Sequence, residues 1–423
     1  MEIFPTHFDV LHLWYLGNPS SPSYIGALSL EDDGDGVSLL YSPAWLISGF
    51  ALSQDLPLVN KRHHPPDILL SNAQRAAGAV DDARPDRWGE KVIRFVDRPE
   101  RLSLMEYLYF AGDERFGALG VSTSAISYLP RSKSPLPVLA DAQHLSEVAF
   151  KIEAAEPLAV LEAKIVSGGG SPMGGAKPKA LISIGCAQCV IKFFNNEPID
   201  APLVEHAAMT LAQKAGITVA KTQFIKLAGF HALAIQRFDR HQGLRIHCLS
   251  AGTALRAATP EWKETELSYP ALARLLIRDG VKNNNIHMKD AKELFRRMVF
   301  SILMDNTDDH EKNHTLLIPS PFENSQIKLA PAYDLLPTNS GQGFQEFICG
   351  VHGKDSSLIN AMSECEAFGL LRAEAEEEVR RVIGLVNTWQ AHFEAVGVSC
   401  SDIANLAQRI DSEFLLSQRV ALH

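Results

Sequence analysis

The sequence predicts an α+β protein that begins on antiparallel strands and becomes mainly helical in its C-terminal half. Three observations carry that prediction. At roughly 100–200 residues per domain, a chain of 423 residues should divide into two or three lobes. The N-terminal residues alternate short apolar runs with clusters of turn formers, the rhythm of a small sheet. Beyond about residue 240, apolar side chains recur at the spacing of buried helices.

In chain order, Phe8 to Leu16, Tyr24 to Leu30 and Val37 to Tyr41 are strand candidates, separated by GNPSSPS and EDDGDG. From Leu70 to Phe110 the pattern turns helical, and the Pro- and Ser-rich 128–140 segment is a linker. ALISI (180–184) and CVIKFF (189–194) flank a short turn and form a hairpin. A helix follows over 201–216, ending at Gly216, and HALAIQRFDR (231–240) is a strand. In KDAKELFRRMVFSILMDN, residues Ala291, Leu294, Phe295, Met298, Val299, Ile302 and Leu303 form one buried helical stripe. A very polar run, 305–314, comes next, and IKLAPAYDLL (327–336) is a second strand-like piece. These features divide the chain into 1–130, sheet then helices; 131–240, with a glycine-rich segment and a strand lysine; and 241–423, helical.

Composition narrows the class. With 40 Lys and Arg against 50 Asp and Glu, the net charge of -10 argues against direct nucleic-acid binding. The N-terminus lacks a basic and apolar leader, and no run reaches the roughly 20 apolar residues of a membrane span, so a cytoplasmic protein without membrane contact is expected. Six scattered cysteines do not make a disulfide framework, and the lone Cys186-x-x-Cys189 pair reads as structural.

Two chemistries overlap in the polar run. His310-Glu311-x-x-His314 matches the zinc-hydrolase pattern, whereas Asp308 and Asn313 have the D-x-x-x-x-N spacing of a kinase catalytic loop. A zinc site needs both histidines on one regular helix. Here the pattern begins after the apolar helix has ended, among Asp and Asn that favour turns, and Leu316 to Ile318 then read as a strand closed by Pro319. A loop between helix and strand suits a phosphoryl-transfer base and a metal-holding Asn.

Upstream residues supply the rest of such a site. Lys192 shares a strand face with Val190 and Phe194, a costly position unless an anion such as a nucleotide phosphate neutralises it, with Glu205 on the next helix holding the ammonium. The alternative is an edge lysine reaching solvent. Ser167 to Lys179, SGGGSPMGGAKPK, allows close backbone approach, so Gly174, Gly175 and Ala176 with Lys177 and Lys179 could cradle phosphates; alternatively it is a linker. Asp334, just past an apolar run, is placed as a second Mg²⁺ ligand or as a helix N-cap.

These segments, NTDDHEKNHTLL, LAPAYDLLP, ALAIQRFDR, CVIKFF, SPMGGAKPKALI and DARPDRWGEKVI, resemble in order the HipA-type serine/threonine kinase toxins of bacterial toxin–antitoxin systems. The resemblance implies a two-lobe protein-kinase-like fold with an extra small N-terminal subdomain, and use of ATP and Mg²⁺. It implies phosphorylation of a protein Ser or Thr, in known members on an aminoacyl-tRNA synthetase, with growth arrest. It also implies a small helix-turn-helix antitoxin of HipB type, through which alone DNA would be contacted. Carried onto this chain, Asp308 would orient the substrate hydroxyl, Asn313 and Asp334 would hold Mg²⁺, and Lys192 would meet the ATP phosphates. Gln236 and Phe238 would meet adenine, His310 and Lys312 belong to the same TD-x-HxKN segment, and Ser171 or Ser167 would be autophosphorylated. A non-catalytic scaffold of the same shape is the remaining reading.

Overall fold

Alternating burial along the first strands dictates where the N-terminal sheet packs. In the computed structural model, which describes residues 7–31, 36–66, 75–132, 134–163, 175, 177–195, 197–260, 264–338 and 341–422, β1 (Val10–Tyr15), β2 (Ser23–Leu30), β3 (Val37–Tyr41), β4 (Arg62–His63) and β5 (Leu119–Ser122) form an antiparallel sheet of order β4-β3-β2-β1-β5. Leu11, Leu13, Ile25, Leu28 and Leu39 face inward and are fully buried. The fifth strand was not legible in sequence, because Leu119–Ser122 is only four residues long. The helical stretch expected over Leu70 to Phe110 is broken up. A 3-10 turn at Gly78–Ala83, a helix at Arg87–Val92 running into a π turn, and a helix at Leu104–Phe110 replace one regular element.

The second sheet carries β6 (Lys179–Ile184), β7 (Ala187–Phe193), β8 (Thr222–Lys226) and β9 (His231–Gln236) in the order β6-β7-β9-β8. The β6–β7 hairpin is as predicted, with Gly185 at φ 58° in its turn. Cys189, Ile191 and Phe193 point to one face, where they pack on Leu145, Val148 and Ile152 of the helix Ala142–Glu153. The opposite face, with Leu233 and Ile235, meets the helix Ala201–Lys214, which ends as predicted before Gly216 at φ 78°. The strand expected over 231–240 stops at Gln236. Residues 240–245 instead form a tight hairpin of β10 (Arg240–His241) and β11 (Leu244–Arg245), whose turn residues Gln242 and Gly243 both have positive φ.

The C-terminal lobe is helical around a small sheet of β12 (His247–Ser250), β13 (Thr315–Ile318) and β14 (Lys328–Leu329). Its central helix, Ile286–Leu303, buries all seven residues of the expected stripe and Phe300 besides, because the chain packs around it on most sides. The strand expected over 327–336 shrinks to two residues. Pro331 has no N–H to give a ladder, and Asp334 takes up a left-handed backbone at φ 60°. No helix among the described residues is long and apolar enough to cross a membrane. None of the six cysteines is paired in a disulfide, and Cys186 and Cys400 are exposed.

Candidate functional site

Between the two lobes lies a cleft enclosing about 1130 Å³ of empty space, open solvent included. Its roof comes from the second sheet, through Lys179, Val190, Lys192 and Ile235, and its floor from Asn313, Thr315, Tyr333 and Asp334. Strand register explains the roof, since Lys179 and Lys192 are directly opposed across the β6–β7 pair and so share a face.

Lys192 is the centre of charge. Its Nζ donates to Glu205 Oε1 at 2.8 Å and to Asp334 Oδ1 at 2.5 Å, joining strand, helix and floor. Burial alone would push the Lys192 ammonium down, but the carboxylates of Asp334 and Glu205 hold it above its usual range. Burial likewise opposes ionisation of Asp334, and Lys192 and Lys179 outweigh it, holding that carboxyl below its usual range. Lys179 is buried with no carboxylate on its Nζ among the described residues. Desolvation, and then repulsion from Lys192, bring it down to about 8.

The polar run forms the rim of the floor. Asp308 is exposed, and Asn313 Nδ2 donates to its backbone carbonyl at 3.1 Å, which fixes the spacing between the two residues. Desolvation at this crowded rim, then the carboxylates of Asp334 and Glu346, push the Asp308 carboxyl up. The adjacent Asp309 has a different environment. It is buried, accepts from the Tyr269 hydroxyl and from Ser301 Oγ, and faces His314 Nε2 at 3.3 Å.

That arrangement overturns the zinc reading. Only Glu311–Asn313 makes a single 3-10 turn, flanked by extended backbone at His310 and His314, so the two histidines do not share a helical face. His314 stacks on Phe347 with centroids 5.5 Å apart, while His310 lines the cleft. Among the described residues no three His, Cys, Asp or Glu side chains group as a metal site of protein ligands alone. Asn313 and Asp334 are hard oxygen donors in the cleft, and Mg²⁺ is commonly held by one or two such groups with substrate phosphates completing its shell, so the residues present fit Mg²⁺ with a nucleotide.

Most sequence-predicted residues converge here. Gly175, Lys179, Lys192, Gln236, Phe238, His310, Lys312, Asn313 and Asp334 all line the cleft, with Glu205 buried behind Lys192. Phe238 packs on Tyr333 with centroids 5.6 Å apart, and the Tyr333 hydroxyl donates to the Lys312 carbonyl at 2.6 Å. Asp308 sits exposed at the rim and does not itself line the cleft, and Lys177 departs from expectation: it lies off the cleft, with its ammonium paired to Glu197. Gly174, Ala176, Ser171 and Ser167 lie outside the described residues.

Sequence reasoning missed a further wall supplied by the N-terminal part of the chain. Asp81 to Asp86, with Arg115 and Phe116, line the cleft. Asp82 accepts from Ser250 N at 2.7 Å and from Thr253 Oγ1 at 2.9 Å, and Arg237 donates to the carbonyls of Glu114 and Arg115 at 3.0 and 2.9 Å. The segment DARPDRWGEKVI stood out in the sequence, but nothing in it shows that it reaches a cleft built by residues far along the chain.

Comparison with known proteins agrees with this architecture. The HipA-like C-terminal domain model matches residues 171–389 and the HipA N-terminal domain model matches residues 21–122. The fold aligns over 97% of this chain, and 97% of the other, with a chain of the Shewanella oneidensis MR-1 toxin–antitoxin complex of HipA, HipB and its operator DNA, at TM-score 0.65 and 18% identity. A Sinorhizobium fredii protein named as a candidate kinase is 28% identical over 53% of this chain and 56% of its own length. The serine/threonine-protein kinase toxin HipA of Shewanella oneidensis is 26% identical over 34% of this chain and 35% of its own. The chain thus spans about half or less of these curated relatives.

Proposed function

The chain belongs to the HipA-like family, and from that premise we propose that it is an ATP- and Mg²⁺-dependent protein serine/threonine kinase. The observation that carries the proposal is the Lys192 ammonium bonded to Glu205 and Asp334 in a cleft whose floor presents Asn313 and Lys312. Such an array does little covalent chemistry and much positioning and charge neutralisation, which is what phosphoryl transfer asks of a protein.

In this reading Lys192 and Lys179 receive the phosphates of ATP, and Gln236 and Phe238 flank its adenine. Asn313 and Asp334 hold Mg²⁺, which when bound neutralises charge on the transferring phosphoryl group. Asp308, exposed at the rim, receives and orients the acceptor hydroxyl of a Ser or Thr. Asp309 is too deeply committed to Tyr269, Ser301 and His314 for that role.

The wider proposal is the toxin of a type II toxin–antitoxin system in the cytoplasm, checked by a small helix-turn-helix antitoxin of HipB type. The net charge of -10 supports leaving DNA contact to such a partner. A translation-related protein such as an aminoacyl-tRNA synthetase is the proposed substrate, with growth arrest as the outcome. The test is incubation of the purified chain with labelled ATP, Mg²⁺ and bacterial lysate. Label on a Ser or Thr of one protein is expected, and its persistence with Asp308→Ala would refute the assignment.

A further inference from the structure

Asp86 precedes the helix Arg87–Val92, at the position where an Asp side chain ordinarily accepts from the first free backbone N–H groups. It makes no such bond. Its two carboxylate oxygens go elsewhere: Oδ2 accepts from the Gly175 N–H at 3.0 Å, and Oδ1 from Lys312 Nζ at 2.8 Å. A local rule given up at the cleft points to a function elsewhere.

Two neighbouring bonds strengthen the attachment. Trp88 N donates to the Gly175 carbonyl at 3.4 Å, and Trp88 Nε1 donates to the Lys179 carbonyl at 2.9 Å from a buried ring. The N-terminal part of the chain thus holds the strand end that carries Lys179, and one of its carboxylates touches the loop that carries Asn313. Burial opposes ionisation of Asp86, but Lys312, Lys179 and the Gly175 N–H outweigh it and keep the carboxyl below its usual range. Charge-assisted bonds of this kind are short and strong, which suits a carboxylate that must hold two partners at once.

We infer that Asp86 is a positioning residue of the phosphate site, one oxygen fixing the backbone at Gly175 and the other orienting the Lys312 ammonium. The inference rests on the kinase reading above. It makes the N-terminal domain a working part of the active site, and it separates two effects. The Gly175 bond sets how well a nucleotide is held, and the Lys312 bond sets how well the transferring group is met.

Asp86→Asn keeps an acceptor for the Gly175 N–H and loses the charge on Lys312, whereas Asp86→Ala loses both. With ATP and Mg²⁺ as the probe, the Asn variant should keep KM for ATP within about twofold while kcat falls about tenfold. The Ala variant should show the same fall in kcat and a KM raised about tenfold. A merely structural role would instead lower the melting temperature of both variants and scale kcat with the folded fraction, leaving KM alone. That pattern, or wild-type constants in both variants, would overturn the inference. If the wild type binds Mg-ATP without transferring phosphate, the kinase reading fails and the calorimetric Kd of the Ala variant decides: about tenfold weaker supports Asp86, unchanged refutes it. A wild type that binds no Mg-ATP refutes both.

Discussion

Two buried ionic clusters face the same cleft, and they are built to opposite rules. Beside β9, Asp239 is saturated: it accepts from Arg237 at 2.9 and 2.8 Å, from Arg240 at 2.9 Å and from the Gly117 N–H at 2.9 Å. Among the described residues, the Asp334 side chain accepts only from Lys192, Glu205 Oε2 is buried without a partner, and Lys179 lacks a carboxylate. The first cluster is closed around its carboxylate, although Arg240 Nε is buried without a partner, and it ties the N-terminal domain to the segment after β9. The second is left open on the side of the cleft, and a buried polar network with unmet capacity costs stability unless a ligand completes it. Closure marks structure, and incompleteness marks the site.

The sharpest separation should come from the open cluster. Asp334→Asn and Asp308→Asn should each lower phosphate transfer by about a thousandfold or more. The melting temperature should change little with the exposed Asp308 replaced and fall with Asp334→Asn, which takes one of two carboxylates from the buried Lys192 ammonium. Transfer within about tenfold of wild type in either variant would break the assignment. Asp239→Ala should do the reverse. It leaves Arg237 and Arg240 buried with only the more distant Glu114 carboxylate, at 3.6 and 3.4 Å, a loss of about 3–5 kcal/mol seen in denaturant unfolding, whereas kcat per folded molecule stays within a few-fold. Asp239 also has a pH signature. Burial raises its pKa, but Arg237 and Arg240 depress it well below the usual 3.8. Its contribution is therefore complete above that value and lost as pH falls below it, and the Ala variant should lack this acid-sensitive part of the unfolding profile.

How far the sequence reached follows the same division. Lys192, Asn313 and Asp334 were legible because each stands in a local pattern: a strand lysine among apolar neighbours, a polar run after a buried helix, an Asp past an apolar run; Glu205 followed as the carboxylate on the next helix that Lys192 needs. Asp308 and Asp309 could be told apart only by spacing, and the fold shows Asp309 committed to the Tyr269 hydroxyl. The N-terminal wall was not legible, because its contacts span long stretches of chain, as from Asp82 to Ser250 or Asp86 to Lys312. Pattern reading failed for 327–336 for a local reason, since an apolar run does not reveal that Asp334 turns the backbone left-handed. A strained backbone at such a position is common at functional sites.

Lys179 offers the subtlest test, because the comparison predicts opposite signs for stability and binding. Desolvation and the neighbouring Lys192 hold its ammonium at about 8, below the usual 10.5. Between those values the unfolded chain binds more protons than the folded one, so stability should rise with pH across that window. Below it the folded state carries a buried charge at a cost of at most about 3 kcal/mol. Lys179→Met, which keeps much of the bulk, should therefore raise the melting temperature at pH 7 and remove the rise at alkaline pH. In the proposed reading, nucleotide binding needs the charged form. Wild-type affinity for Mg-ATP should fall as pH passes about 8, whereas the Met variant should bind about tenfold more weakly at pH 7 and show no such step. A variant that loses stability and keeps its affinity would place Lys179 with the closed cluster, as a structural cation with no part in binding.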